Sequence, residues 1–154
     1  MWHAVLISGH AVAGLVALIA GLLTIPHGRW FDVYLWSLVT MTVFLVAAVG
    51  VEWSTLDPAA RVLFAAFAVL AAFMVWLAVR ARRDRPVGGA APSASYLDHV
   101  GFTIVALFDA FLVIAVLDLG APIWVVVGTG ILIAIAGHLA LRRAKAGAHS
   151  WSTP

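Results

Sequence analysis

The residues best equipped for chemistry in this chain are few, and apolar neighbours surround them. His10 stands among small residues in the run AVLISGHAVAGLVALIAGLLTI, residues 4–25, and Asp109 interrupts a second apolar run over 97–117. An ionisable group inside hydrocarbon costs roughly 3 kcal/mol on the insertion scale, so each is expected to face other helices and to find a partner there. At a rise of ~1.5 Å per residue, His10 lies ~9 Å in from residue 4 and Asp109 ~12 Å in from residue 117, comparable depths. Thr42 and Thr129 fall near the same level on other runs. His10, Asp109, Thr42 and Thr129 together would make a small polar pocket for an apolar or lipid-like ligand, or a proton relay. The structural alternative is a single interhelical hydrogen bond that fixes packing, worth ~0.6–2 kcal/mol.

A second set of candidates lies at the opposite ends of these runs. His27, His99 and His138 fall at one level. Three imidazoles there could hold a transition metal or supply axial ligands to haem, with Asp98 orienting one ring. No HxxxH or HxH spacing reinforces this, and a histidine with a wet ring at headgroup level explains the pattern equally. Asp98, Phe102, Val105 and Asp109 share one helical face. The two carboxylates on it are ~16 Å apart along a helix, too far for an acid–base pair. Arg80, Arg82, Arg83 and Arg85 form a basic cluster beside an apolar run. Its expected partner is an anionic lipid headgroup, at ~1 kcal/mol per base near the surface.

Much chemistry is excluded. The chain has no cysteine, which removes thiolate catalysis, disulfides, Cys-ligated zinc and iron–sulfur clusters. No Walker loop, GxSxG, HExxH or dinucleotide fingerprint occurs, and no lysine lies inside an apolar run to carry a Schiff base. A binding module is therefore expected rather than an enzyme, with a metal or haem electron-transfer protein and a small proton-coupled transporter as the alternatives.

The elements that position these residues are five apolar runs, over 4–25, 31–51, 59–79, 97–117 and 122–141. Each is long enough as a helix to cross the ~30 Å hydrocarbon core. Of the 154 residues, 64% are hydrophobic and 10% charged, far from the roughly one-half and one-quarter of soluble domains. The expectation is an all-α integral membrane five-helix bundle, one domain, multi-pass in a bacterial inner membrane. Residues 80–96 read as a flexible basic linker and 142–154 as a polar tail. Ser54 or Asp57 could cap the third helix, with Pro58 in its first turn.

Charge sets the expected orientation. Eight of the nine Lys and Arg residues (29, 80, 82, 83, 85, 142, 143 and 145) fall on one side of the spans, and only Arg61 on the other. By the positive-inside rule this places the C-terminus in the cytoplasm and the N-terminus outside. Trp2, Trp30, Trp53 and Trp124 mark span ends, as interfacial belts do. Met1-Trp2-His3 lacks a basic n-region, so the first span reads as an uncleaved anchor. The +2 net charge is spent on orientation, so no nucleic-acid partner is expected. Membrane lipids are, and the small-residue face of His10, Gly14, Ala17 and Gly21 could admit a second copy or a partner helix.

These residues also carry a likeness. His10, Gly14, Ala17-Leu18 and Gly21 follow the pattern HxxxGxxALxxG, and His27 and Tyr34 stand where a turn H-R-x-x-G-R-x-Y has its first and last residues. Gly28, Phe31 and Asp32 replace that turn's first Arg, its Gly and its second Arg. With the trailing arginines of the third run and Asp98, the first hundred residues or so resemble a family of uncharacterised bacterial predicted membrane proteins. The resemblance implies a helical membrane fold and no particular activity.

Overall fold

The computed structural model describes residues 2–88 and 90–150. Residues 151–154 of the expected tail lie outside the described residues. Five α-helices make up the fold, α1 (Trp2–Thr24), α2 (Phe31–Glu52), α3 (Pro58–Ala81), α4 (Ala94–Asp118) and α5 (Ile123–Ser150), with a single 3-10 turn at Arg82–Asp84. No strand occurs among the described residues. All five helices are long and apolar enough to cross a membrane, the composition of a multi-pass membrane protein.

The helices start and stop for local reasons. Asp57 caps α3, its carboxylate accepting from Ala60 N at 2.9 Å, with Pro58 in the first turn. Ser93 does the same for α4 by accepting from Tyr96 N at 3.1 Å, so α4 starts at Ala94, three residues before the apolar run itself. A helix cap thus decides the boundary where hydropathy places it later. At the other end of the chain α5 runs on through Arg142, Arg143 and Lys145 to Ser150, where a polar tail was expected. Arg, Ala and Lys are good helix formers, and no proline interrupts them.

Within residues 80–96, read from composition as a flexible linker, several side chains have partners. Arg85 and Arg82 reach Asp32 at 3.4 and 3.9 Å, and Ser95 donates to Asp84 at 2.8 Å. Pro86 is buried over the α1–α2 turn. There Gly28 has φ +67°, and a Cβ on it would lie 2.5 Å from Pro86 O. Only glycine supplies both that conformation and that space.

Consecutive helices pack as neighbours, and α4 also contacts α1. The small-residue face of α1 is filled within the chain. Ala17 and Ala20 are buried, a Cβ on Gly14 would meet Met41 and Phe111, and one on Gly21 would meet Tyr34 and Ile104. The core lies in the half of the bundle nearest the basic residues, where Phe31, Tyr34, Leu38, Ala78, Ala81, Tyr96 and Val100 are all fully buried. α5 is peripheral. Only 6% of its apolar window is buried, against 22–28% for the other four.

Candidate functional site

The four residues expected to form an intramembrane pocket do not share hydrogen bonds. His10 Nδ1–H donates to Met41 O on α2 at 3.0 Å, which fixes the ring's tautomer. Thr42 and Thr129 each turn back on their own helix, donating to Leu38 O at 2.8 Å and Val125 O at 2.9 Å. Asp109 faces α5, where a Cβ on Gly130 would lie 3.5 Å from its Oδ1. α4 meets α1 through Ile104 and Phe111 instead. His10 therefore belongs to the α1–α2 contact and Asp109 to the α4–α5 contact. Asp109 Oδ1 is buried without a hydrogen-bond partner.

The stripe Asp98, Phe102, Val105, Asp109 is mostly the seat of α5. Asp98 binds Lys145 Nζ at 2.6 Å, Val105 packs on Gly137, and Asp109 lies at Gly130. Phe102 turns the other way, edge-on to Phe73 of α3 with ring centroids 5.8 Å apart. Asp98 is thus engaged with a lysine, not with a histidine. His27 and His138 are exposed and His99 is half-buried. Among the described residues no group of three or more His, Cys, Asp or Glu is placed to hold a metal ion. The His27, His99 and His138 trio expected at one level is therefore not gathered into such a group.

The basic end does contain a concave site. A cleft of about 570 Å³ opens between the last turn of α3, the 3-10 turn and the first turns of α4, lined by Trp76, Val79, Arg80, Arg83, Asp84, Ser95 and His99. Its size falls in the ~300–1,000 Å³ range of small-molecule sites. The wall is graded. Arg80 stacks its guanidinium 4.2 Å from the Trp76 ring centroid, a cation–π contact that holds the charge at the rim. Trp76 stacks in turn on Phe73, 5.5 Å between centroids. Arg83 has no ion pair among the described residues, while Arg82 and Arg85 point to Asp32. His99 Nδ1 is buried and lacks a hydrogen-bond partner. Of the four arginines expected at lipid headgroups, Arg80 and Arg83 line the cleft and Arg82 and Arg85 do not.

A second cleft, of about 430 Å³, is a shallow groove between α1 and α2, lined by residues that include Val12, Val16, Val33, Trp36 and Phe44. It is almost wholly apolar, and neither cleft includes His10, Asp109, Thr42 or Thr129.

Two buried polar contacts escape sequence reasoning. Tyr34 Oη–H donates to Thr103 Oγ1, which itself donates to Val100 O at 2.8 Å. Tyr96 Oη lies 3.1 Å from Thr24 O and 3.2 Å from Thr24 Oγ1. All four residues are fully buried, and they join α1 and α2 to α4. One signal was available: Tyr96 follows the Ser93 cap by three residues, so it had to lie inside the helix.

Comparison of the chain with protein-family models, with curated proteins and with solved structures gives no match. The likeness to bacterial membrane proteins seen in the first hundred residues gains no support from them. What stands is a five-helix protein with the composition of a membrane protein.

Proposed function

We propose that the chain is a non-enzymatic multi-pass protein of a bacterial cell membrane that binds the anionic headgroup of a lipid-like amphiphile in the α3–α4 cleft. The observation that carries this reading is the cleft itself. It brings Arg80, Arg83, which has no ion pair among the described residues, and His99 to one concavity at the end of two apolar helices. Phe73 and Phe102, 43% and 40% exposed, continue its wall toward the middle of the helices, a surface suited to an acyl chain. A phosphate at the rim would meet two guanidinium groups, the side chains best suited to oxyanions. The positive-inside pattern supports placing this end in the cytoplasmic leaflet, with the N-terminus outside.

The test uses the full chain in mild detergent, with retained phospholipid counted by native mass spectrometry. Two arginines at ~1 kcal/mol each imply a loss of about thirtyfold in retention for the Arg80→Gln/Arg83→Gln variant. Arg142→Gln/Arg143→Gln removes the same charge from α5, outside the cleft, and retains phospholipid as the parent does. Equal losses in the two variants would reduce the effect to general surface charge and overturn the reading.

A further inference from the structure

The cleft holds one group that an anion site does not need. Asp84 lines it beside Arg80 and Arg83, and a carboxylate there repels a phosphate. Its Oδ2 accepts from Ser95 Oγ at 2.8 Å. Although Arg83 and Arg85 flank it in sequence, Asp84 forms no ion pair among the described residues, because Arg82 and Arg85 turn to Asp32 and Arg80 lies on Trp76. The site therefore carries both signs of charge, with Arg80 on the last turns of α3 and Arg83 and the acid Asp84 adjacent on the 3-10 turn.

Resting on the reading of the cleft as a headgroup site, we infer that its preferred occupant is a phospholipid whose phosphodiester carries a primary ammonium, as in phosphatidylethanolamine. The phosphate lies with Arg80, Arg83 and His99, and the ammonium donates to Asp84. A primary ammonium brings three N–H donors to the carboxylate. A quaternary ammonium brings none and is recognised instead on open aromatic faces, but Arg80 already lies over the Trp76 ring. A glycerol headgroup leaves Asp84 without a counter-charge while keeping the anion. The shape thus selects against both alternatives, each for its own reason. The source is a lipid and not a free phosphodiester, because the apolar surface of Trp76, Val79 and Phe73 continues from the cleft down α3.

The experiment measures retention of ethanolamine, choline and glycerol phospholipids of equal chain length, supplied at equal mole fraction to the full chain, by native mass spectrometry. The parent should favour the ethanolamine lipid by about tenfold, the size of one charge-assisted contact. In Asp84→Asn the ethanolamine-to-glycerol ratio should fall to about one, and in Asp84→Glu the preference should persist, which separates charge from folding. Soluble phosphoethanolamine at millimolar concentration should fail to displace the lipid. A parent ratio near one, or a preference that survives in Asp84→Asn, overturns this inference alone, provided phospholipid is still retained through Arg80 and Arg83. If no phospholipid is retained above the Arg80→Gln/Arg83→Gln level, the headgroup reading falls with it. Displacement by soluble phosphoethanolamine overturns the lipid as source.

Discussion

Tyr34, Thr103 and Asp109 are all polar groups on the interior of an apolar bundle, yet they stand in opposite situations. Tyr34 donates to Thr103, and Thr103 passes its own proton to Val100 O. Removing the tyrosine hydroxyl leaves Thr103 with a partner. Removing the threonine hydroxyl strands a buried donor, which costs more than the hydrogen bond was worth. Tyr34→Phe should therefore lower stability by ~1 kcal/mol and Thr103→Val by ~1–3 kcal/mol. Asp109 has no such partner for Oδ1, so Asp109→Leu should leave stability unchanged or raise it, since an unsatisfied polar group in hydrocarbon is a net cost. Thermal melting of the three variants in one detergent checks the order. A loss at Asp109→Leu exceeding that at Thr103→Val would reveal a partner supplied from outside the chain, which is the signature of a relay or an assembly contact.

At the scale of elements the weakest attachment is α5, which packs mainly on α4 and is mostly uncovered. Its seat depends on glycine. A Cβ on Gly137 would lie 2.6 Å from Val105 Cγ2 and 3.1 Å from Val105 Cβ, whereas a Cβ on Gly101 would meet the flexible end of Leu141. Valine in a helix has essentially one rotamer and cannot yield, but leucine can move. Gly137→Ala should accordingly cost ~1–3 kcal/mol by overpacking, Gly101→Ala less, and Gly128→Ala, with open space around it, nothing. Limited proteolysis of the α4–α5 turn reports the loosening directly; equal protection in Gly137→Ala and Gly128→Ala would show that the α4–α5 contact is not close-packed. Much of the element plan was legible in the sequence, because uninterrupted apolar runs of about twenty residues admit little besides helices. The pairing of faces was not. Asp98, Val105 and Asp109 were recognisable as one stripe, but nothing local says that the stripe receives α5 and not a solute path. Arg80 and Arg83 were visible as members of a basic cluster, whereas the cleft that collects them depends on the Ser93 cap starting α4 early and on Pro86 folding the linker back over Gly28.

For the molecule as a whole, charge and packing are concentrated at the same end. The fully buried side chains, the Asp32 and Asp98 ion pairs and the cleft all lie in the basic half, while the other half holds a single base, Arg61, against the Trp53 ring at 5.9 Å. Under the positive-inside rule the expected orientation of such a bundle has the compact half toward the cytoplasm and the looser half outward. The absence of cysteine from the chain makes this directly measurable, since any single introduced thiol is the only one to react. Ser54→Cys lies in the α2–α3 turn, Leu119→Cys in the α4–α5 turn, and Ala91→Cys between α3 and α4; all three positions are exposed. An impermeant maleimide added to intact cells should label the first two and reach Ala91→Cys only after lysis. Labelling of Ala91→Cys alone would invert the orientation and put the cleft in the outer leaflet. Labelling of Ser54→Cys and Ala91→Cys together would mean that α3 does not cross, because these two positions are separated by that helix and can share a side only if it stays within one leaflet.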